Sequence, residues 1–151
     1  PQATLVGDLT TGDNLPSDAF DCLILTQTLP MIYDVRAALR TSYRLLKPGG
    51  VALVTVPGVA HQISRQDMDR WGDHWRFTSK SIGRLFTEVF PTSHVQVETF
   101  GNPLAALALL HGLVVEDLSP HELNHWEADY EVSITVRAVK PETTIAPLPV
   151  Q

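Results

Sequence analysis

The stretch RLLKPGGVALVTVPG, residues 44–58, decides the fold class because it joins the end of a helix to a buried strand. Pro48 cannot continue a helix, and Gly49 and Gly50 allow the left-handed backbone that turns the chain back. The apolar run VALVTV that follows has the pattern of a strand covered by helices on both faces. This join is typical of an α/β domain.

The residues before this join supply the other half of a strand-helix-strand unit. The run FDCLILT, residues 20–26, is also continuously apolar and predicts a second doubly covered strand. Asp34 can cap the intervening helix, whose apolar positions at 35–46 keep the three-and-four spacing of one buried face. Because such crossovers are right-handed and short, we expect the two strands to be parallel neighbours.

Further elements follow from local patterns on either side of this unit. A short apolar strand is predicted at residues 3–7, an amphipathic helix at 79–89, and alternating strands at 94–101 and 130–140. The helix LAALALLHG, in 102–112, is apolar almost all round, so it must be buried in the domain or against a partner. A homodimer is the expected partnership.

Composition limits the function classes. A chain of 151 residues with 44% hydrophobic and 19% charged residues suits one globular domain, which we place at 1–140 with a disordered Pro- and Thr-rich tail at 141–151. The net charge of −6 argues against nucleic acid and favours a small-molecule partner. The single cysteine, Cys22, is expected in the core and fits a reducing compartment. The sequence contains no apolar run of roughly 18 residues and no signal pattern, so we expect a cytoplasmic protein without membrane association.

Taken together, the motifs carry a family resemblance. GDLTTGDNLPSDAFDCLIL, the Asp-capped helix and RLLKPGGVALVTVP resemble the middle and end of a class I S-adenosylmethionine-dependent methyltransferase, and the match covers residues 3–58. The Lys-Pro-Gly-Gly turn alone is also ordinary helix-stop chemistry. The resemblance implies a partial Rossmann-like fold with a mostly parallel sheet and an antiparallel C-terminal strand. It also implies in-line transfer of a sulfonium methyl group, with S-adenosylmethionine as the cofactor.

The resemblance also implies cofactor-binding residues. Asp8 matches the family's acidic residue that accepts a hydrogen bond from the adenine amino group, with the Leu9 backbone beside the ring. Thr26 and Gln27 match positions that line the methionine part, at the carboxyl end of a strand. The alternative for Asp8 is a turn aspartate after a strand. The family's histidines after this strand have no counterpart in LPMIYD, residues 29–34.

The stretch DRWGDHWRFTSKS, residues 69–81, is the candidate substrate loop. It resembles the Asp-x-Trp-Arg-Phe-Thr stretch of methyltransferases in bacterial glycan and small-molecule pathways. Trp71 and Trp75 offer flat apolar walls and Arg76 an orienting charge. The alternative is a structural loop in which the aromatics plug the sheet edge and Arg76 pairs with Asp73.

The catalytic residues are unknown, and Asp73 and His74 are the candidates for a general base toward a substrate hydroxyl. The other histidines lack metal-ligand spacing, so no metal site is expected. They are His61, His94, His111, His121 and His125.

The family's glycine-rich turn and ribose-binding acid have no counterpart before Asp8. We therefore expect a fragment, a truncation product or a domain completed by another chain, in which isolated residues 1–151 are inactive and bind the cofactor weakly or not at all. The alternative to an enzyme is a non-catalytic scaffold module that pairs with a partner chain. A nicotinamide oxidoreductase is less favoured, because Gly-x-Gly-x-x-Gly does not occur.

Overall fold

The computed structural model describes residues 3–59 and 65–142 and consists of strands that alternate with helices. The strands are β1 (Phe20–Thr26), β2 (Leu46–Pro57), β3 (Val95–Phe100) and β4 (Ser133–Val139). The helices are α1 (Val35–Leu45), α2 (Arg65–Arg70), α3 (Ser79–Thr87), α4 (Pro103–His111) and α5 (Pro120–Asn124). Among these described residues, no helix is long and apolar enough to cross a membrane.

The described strands form one sheet in the order β1-β2-β4-β3. β1 and β2 are parallel neighbours, with Ile24 opposite Leu53, as the crossover pattern predicts. β4 is the last of the described strands but lies between β2 and β3, antiparallel to both. The carboxyl ends of β1 and β2 therefore lie side by side at the same end of the strands in a mixed sheet.

The core lies between one face of this sheet and helices α1 and α3. Asp34 caps α1 by accepting a hydrogen bond from the Ala37 backbone N–H at 2.9 Å, as expected. The largest buried side chains are Phe86 and Phe90, which stack with ring centroids 5.8 Å apart. Fully burying one such side chain contributes about 1.5–3 kcal/mol. The packing of these apolar side chains holds α1 and α3 against one face of the sheet.

The opposite face of the sheet is open. Ile24 is 71% exposed, Leu53 is 39% exposed, and Cys22 is exposed. The predictions that β1 and β2 are covered on both faces and that Cys22 lies in the core are therefore wrong for the described residues. The physical reason is that α1 and α3 both pack on the same face, the one toward which Leu23 and Leu25 point.

Residues 3–7 form no strand, which corrects the prediction of a short strand there. The segment is exposed, with Val6 at 84%, and has no ladder hydrogen bonds to a neighbouring strand. An apolar run becomes a strand only when a partner satisfies its backbone groups. None of the four described strands lies beside it.

The Lys-Pro-Gly-Gly turn is built into the start of β2. Phe20 pairs with Leu46, but the next pair joins Cys22 to Val51, so the intervening residues bulge out of the ladder. Gly49 has φ 79°, the left-handed backbone that the sequence predicts at this point.

Two sequence predictions fall on the later part of the chain. Asn102 caps α4 and Gly112 ends it with φ 72°, as expected, but the helix is not buried, because its leucines are 42–60% exposed. The predicted tail at 141–151 lies outside the described residues from position 143 onward, as does His61.

Candidate functional site

A cavity of about 790 Å³ opens at the carboxyl end of β1. Three segments line it: the loop that follows residue 7, the turn after β1, and the stretch after α2. The lining residues are Gly7, Asp8, Leu9, Thr10, Gln27, Thr28, Met31, Ile32, Tyr33, Trp71 and His74. Five residues singled out in the sequence thus lie around one space: Asp8, Leu9, Gln27, Trp71 and His74.

Asp8 places an ionised carboxylate at the rim of this cavity. The Thr10 backbone N–H donates to Asp8 Oδ1 at 2.7 Å. This bond, with a further one from the Thr10 side chain, lowers the pKa of Asp8 below its ordinary value of 3.8. The geometry is that of an aspartate turn, and it also places the Asp8 carboxylate, a hydrogen-bond acceptor, beside the cavity.

Gln27 is strained and has an unused acceptor. Its φ is 52°, an uncommon conformation for a residue with a side chain. Its backbone N–H donates to the Thr55 carbonyl at 3.0 Å and to Thr55 Oγ1 at 3.2 Å. Gln27 Oε1 is buried and has no hydrogen-bond partner among the described residues. Strain and an orphaned buried acceptor together are typical of a ligand-binding position.

Tyr33 lines both this cavity and a second one beside it. Its ring contacts His74 edge-on at 5.4 Å and stacks on Trp75 at 5.8 Å between centroids. The Trp75 Nε1–H donates to the carbonyls of Ile32 and Tyr33 at 3.1 and 3.2 Å. The His74 backbone N–H donates to the Pro30 carbonyl at 2.8 Å. These bonds fix the aromatic wall to the turn after β1.

Arg76 and Asp73 form a bidentate ion pair with N–O distances of 2.6 and 2.9 Å. The Asp73 side chain is fully buried, and its hydrogen bond to Arg76 raises the pKa of that guanidinium above its ordinary value. This pairing matches the structural alternative for the loop. Asp73 does not line the large cavity, whereas His74 does.

Three further predicted residues also lie outside that cavity. Trp75 and Arg76 line a second cavity of about 490 Å³, bordered by α1 and α3. Thr26 points to the open face of the sheet, where a shallow cavity of about 300 Å³ lies. Of the three residues proposed for the substrate loop, Trp71 lines the large cavity, Trp75 and Arg76 line the neighbouring one, and Tyr33 lines both.

Sequence reasoning missed Thr28, Met31 and Tyr33 as lining residues. The available signal was their position directly after the carboxyl end of β1, where open α/β sheets bind ligands. The apolar pattern alone does not reveal which of these side chains face the cavity.

The fold and the cavity define a class of α/β domain that holds its ligand beyond the carboxyl ends of its strands. The sequence profile of the methyltransferase domain matches residues 3–114. The chain therefore belongs to this family, and its fold is that of class I S-adenosylmethionine-dependent methyltransferases. Comparison with curated proteins finds no match.

Solved structures with the same fold are distant in sequence. A Haemonchus contortus phosphoethanolamine N-methyltransferase 2 in complex with S-adenosyl-L-methionine superposes with a TM-score of 0.53 at 18% identity, over 85% of this chain and 35% of that one. An Archaeoglobus fulgidus S-adenosylmethionine-dependent methyltransferase gives 0.55 at 11%, over 90% and 66%. A Chlamydomonas reinhardtii arsenic(III) S-adenosylmethionine methyltransferase gives 0.51 at 20%, over 94% and 45%. This chain thus spans only part of each of them.

Proposed function

We propose that this domain is part of an enzyme that transfers the methyl group of S-adenosylmethionine to a small-molecule or glycan-type acceptor in the cytoplasm. The observation that carries the proposal is the cavity that brings Asp8, Gln27 and Trp71 together, with the unpaired Gln27 Oε1 buried in its wall. An acceptor atom left unpaired costs free energy, which a hydrogen-bonding ligand recovers.

The cofactor half of the cavity comprises three residues. The Asp8 carboxylate, held ionised by Thr10, accepts a hydrogen bond from the adenine amino group, and the Leu9 backbone flanks the ring. Gln27 Oε1 accepts a hydrogen bond from the polar end of the methionine part. Thr26 stays a prediction for the methionine wall, with its side chain on the open face of the sheet.

The acceptor half of the cavity comprises Trp71, Tyr33 and His74. Trp71 is 68% exposed at the mouth and presents a flat surface to a sugar or another ring. The His74 imidazole takes the proton from an acceptor hydroxyl, while Trp75 and the Arg76–Asp73 pair hold the loop from behind. S-adenosylmethionine, when bound, supplies an electrophilic methyl group, and the protein supplies proximity and orientation.

Binding by these 151 residues alone is proposed to be weak or absent, and the isolated chain inactive. The sequence contains no Gly-x-Gly turn, and each charge-assisted hydrogen bond that is missing costs about 1.5–3 kcal/mol. Two such losses weaken binding by roughly two to four powers of ten.

A second candidate is a non-catalytic scaffold module completed by a partner chain. The observation that favours it is the open sheet face, where Ile24 and Leu53 are exposed beside the edge of β1 that no described strand pairs with. Open faces and edges of this kind take additional strands or helices.

Ligand-observed NMR titration with S-adenosylhomocysteine tests the proposal. We expect saturable binding with a dissociation constant above the micromolar range. Gln27→Gly should raise this constant a further 5- to 10-fold or so. The substitution removes the side-chain acceptor, and glycine adopts the left-handed backbone at this position without strain. The control is Thr92→Ala, in the exposed turn before β3 and outside the cavity, which should leave binding unchanged. A micromolar dissociation constant would contradict the weak-binding proposal. Complete absence of binding at millimolar ligand agrees with the missing glycine-rich turn, but it would leave Gln27 and Asp8 without a measurable role as cofactor contacts and would favour the scaffold module.

A further inference from the structure

Residues 101–132, which join β3 to β4 and contain α4 and α5, present an unusually apolar surface. We name them the α4–α5 lobe. In α4 only Ala106 and Ala108 are buried. Seven large apolar residues in twelve positions are between 42% and 63% exposed: Leu104, Leu107, Leu109, Leu110, Leu113, Val114 and Val115. Contiguous exposed apolar patches of this kind mark interaction sites.

The lobe is a hydrogen-bonded unit. Asn102 is 2% exposed, and its Nδ2 donates to the carbonyls of Glu122 and His125 at 2.8 and 2.7 Å. Its Oδ1 accepts from the Ala105 backbone N–H at 2.9 Å. Ser119 caps α5 through reciprocal bonds with Glu122. The apolar side chains thus project from a preorganised scaffold, which reduces the entropy lost on binding a partner.

The lobe also accounts for the entire net charge of the chain. It contains six of the 17 acidic residues and none of the 11 Lys and Arg, so the remaining sequence has eleven of each sign and is formally neutral. Glu116 and Asp117 directly follow the exposed Val115. The apolar surface therefore has an acidic border.

We infer that the α4–α5 lobe docks a basic amphipathic helix of another protein, with apolar residues along one side and Lys or Arg at its margins. The leucines of α4 receive the apolar side, and the acidic border attracts the basic margins. A face-to-face pair of identical lobes brings two surfaces of the same negative sign together, including Glu116 and Asp117 of each copy, which disfavours the homodimer expected from sequence. An anionic membrane is repelled for the same reason.

This surface is separate from the proposed cofactor cavity. The lobe follows β3 at one edge of the described sheet, whereas the cavity opens beside β1 at the other edge. The inference therefore does not depend on methyl transfer, and substitutions in the lobe should leave S-adenosylhomocysteine binding unchanged.

Fluorescence anisotropy with a labelled synthetic Leu/Lys amphipathic peptide tests the inference on the 151-residue chain. We expect saturable binding that weakens at high salt, and at least about tenfold weaker binding to the Leu107→Gln/Leu110→Gln variant. Both leucines are more than half exposed, so the variant should fold, which circular dichroism checks. Ile24→Gln, on the open sheet face, is the matched control and should bind as the unsubstituted chain does. A Leu/Glu peptide of the same pattern should not bind.

Four results would overturn the inference. The first is absence of binding, and the second is binding that the Leu107→Gln/Leu110→Gln variant retains in full. The third is a dimer in light scattering that this variant abolishes, which would assign the surface to a second copy. The fourth is binding to vesicles of phosphatidylcholine and phosphatidylserine that this variant loses, which would assign it to a membrane.

Discussion

The Gln27 backbone N–H bridges the carbonyl and the hydroxyl of Thr55, at 3.0 and 3.2 Å. Gln27 belongs to the turn after β1 and Thr55 to β2, so this bond joins neighbouring parallel strands where the cavity opens. The left-handed backbone of Gln27, with φ 52°, persists because Thr55 holds it.

Thr55→Val removes the hydroxyl but keeps the branched shape. We expect it to destabilise the fold by about 0.5–1.5 kcal/mol, because the backbone N–H and the Nε2 of Gln27 both lose their hydrogen bond to the hydroxyl, while the N–H keeps its bond to the Thr55 carbonyl. It should also weaken S-adenosylhomocysteine binding. Urea denaturation and NMR titration measure the two effects. Thr55→Ser, which retains the hydroxyl, is the control and should bind as the unsubstituted chain does; equal binding by the Val variant would contradict the role of this bond.

Glu88→Gln should reduce the acid sensitivity of the fold. Arg36 on α1 donates to Glu88, which follows α3, at 2.6 and 3.1 Å, and this bond lowers the pKa of Glu88 below 4.5. A carboxylate with a lowered pKa stabilises the folded state above its unfolded pKa, and that contribution is lost as the pH falls through the folded pKa.

Urea midpoints measured from about pH 5 to about pH 3 should therefore fall more steeply for the unsubstituted chain than for Glu88→Gln. Glu98→Gln, exposed on β3, is the matched control. Parallel curves for Glu88→Gln and the unsubstituted chain would contradict a contribution from the Arg36–Glu88 pair.

Gly58→Ala and Gly83→Ala should have opposite effects. A Cβ at Gly58 would overlap the Glu131 backbone oxygen, so we expect a loss of roughly 2–4 kcal/mol. A Cβ at Gly83 in α3 would meet only Val97 Cγ2, at 3.4 Å, so alanine should stabilise the helix by about 0.5–1 kcal/mol. Denaturant unfolding measures both, and similar effects of the two substitutions would contradict the described packing.

Asn102→Ala should loosen the α4–α5 lobe without unfolding the sheet. It removes the cap of α4 and leaves the carbonyls of Glu122 and His125 unpaired, at a cost of about 1–3 kcal/mol. Amide hydrogen exchange should accelerate in α4 and α5 and stay unchanged in β2 and β4. Asn124→Ala, exposed in the same lobe, is the control. Uniform acceleration throughout the chain would show that the lobe is not a separate unit.

Local signals in the sequence predicted most of the elements correctly. Asp34 and Asn102 cap the predicted helices, and the apolar crossover predicts the β1–β2 pair. These features depend on a few neighbouring residues and on the general handedness of crossovers, so no long-range information is needed.

Burial was predicted less well, because it depends on what packs against an element. Ile24 and the leucines of α4 are apolar by sequence yet exposed, since no described segment covers them. The site was predicted in part for the same reason. Asp8 and Gln27 follow from the family motifs and His74 from the chemistry of histidine, whereas the position of Tyr33 in the walls of both cavities depends on its packing against Trp75.

The central place of β4 has a consequence for synthesis. β3 has no other strand partner among the described residues, so it cannot join the sheet until residues 133–139 have left the ribosome. During that interval the edge of β3 and the leucines of α4 are exposed together, and such surfaces aggregate readily. The edge of β3 and the leucines of α4 therefore stay uncovered until β4 has been made, which makes this the interval in which the nascent chain is most prone to aggregation.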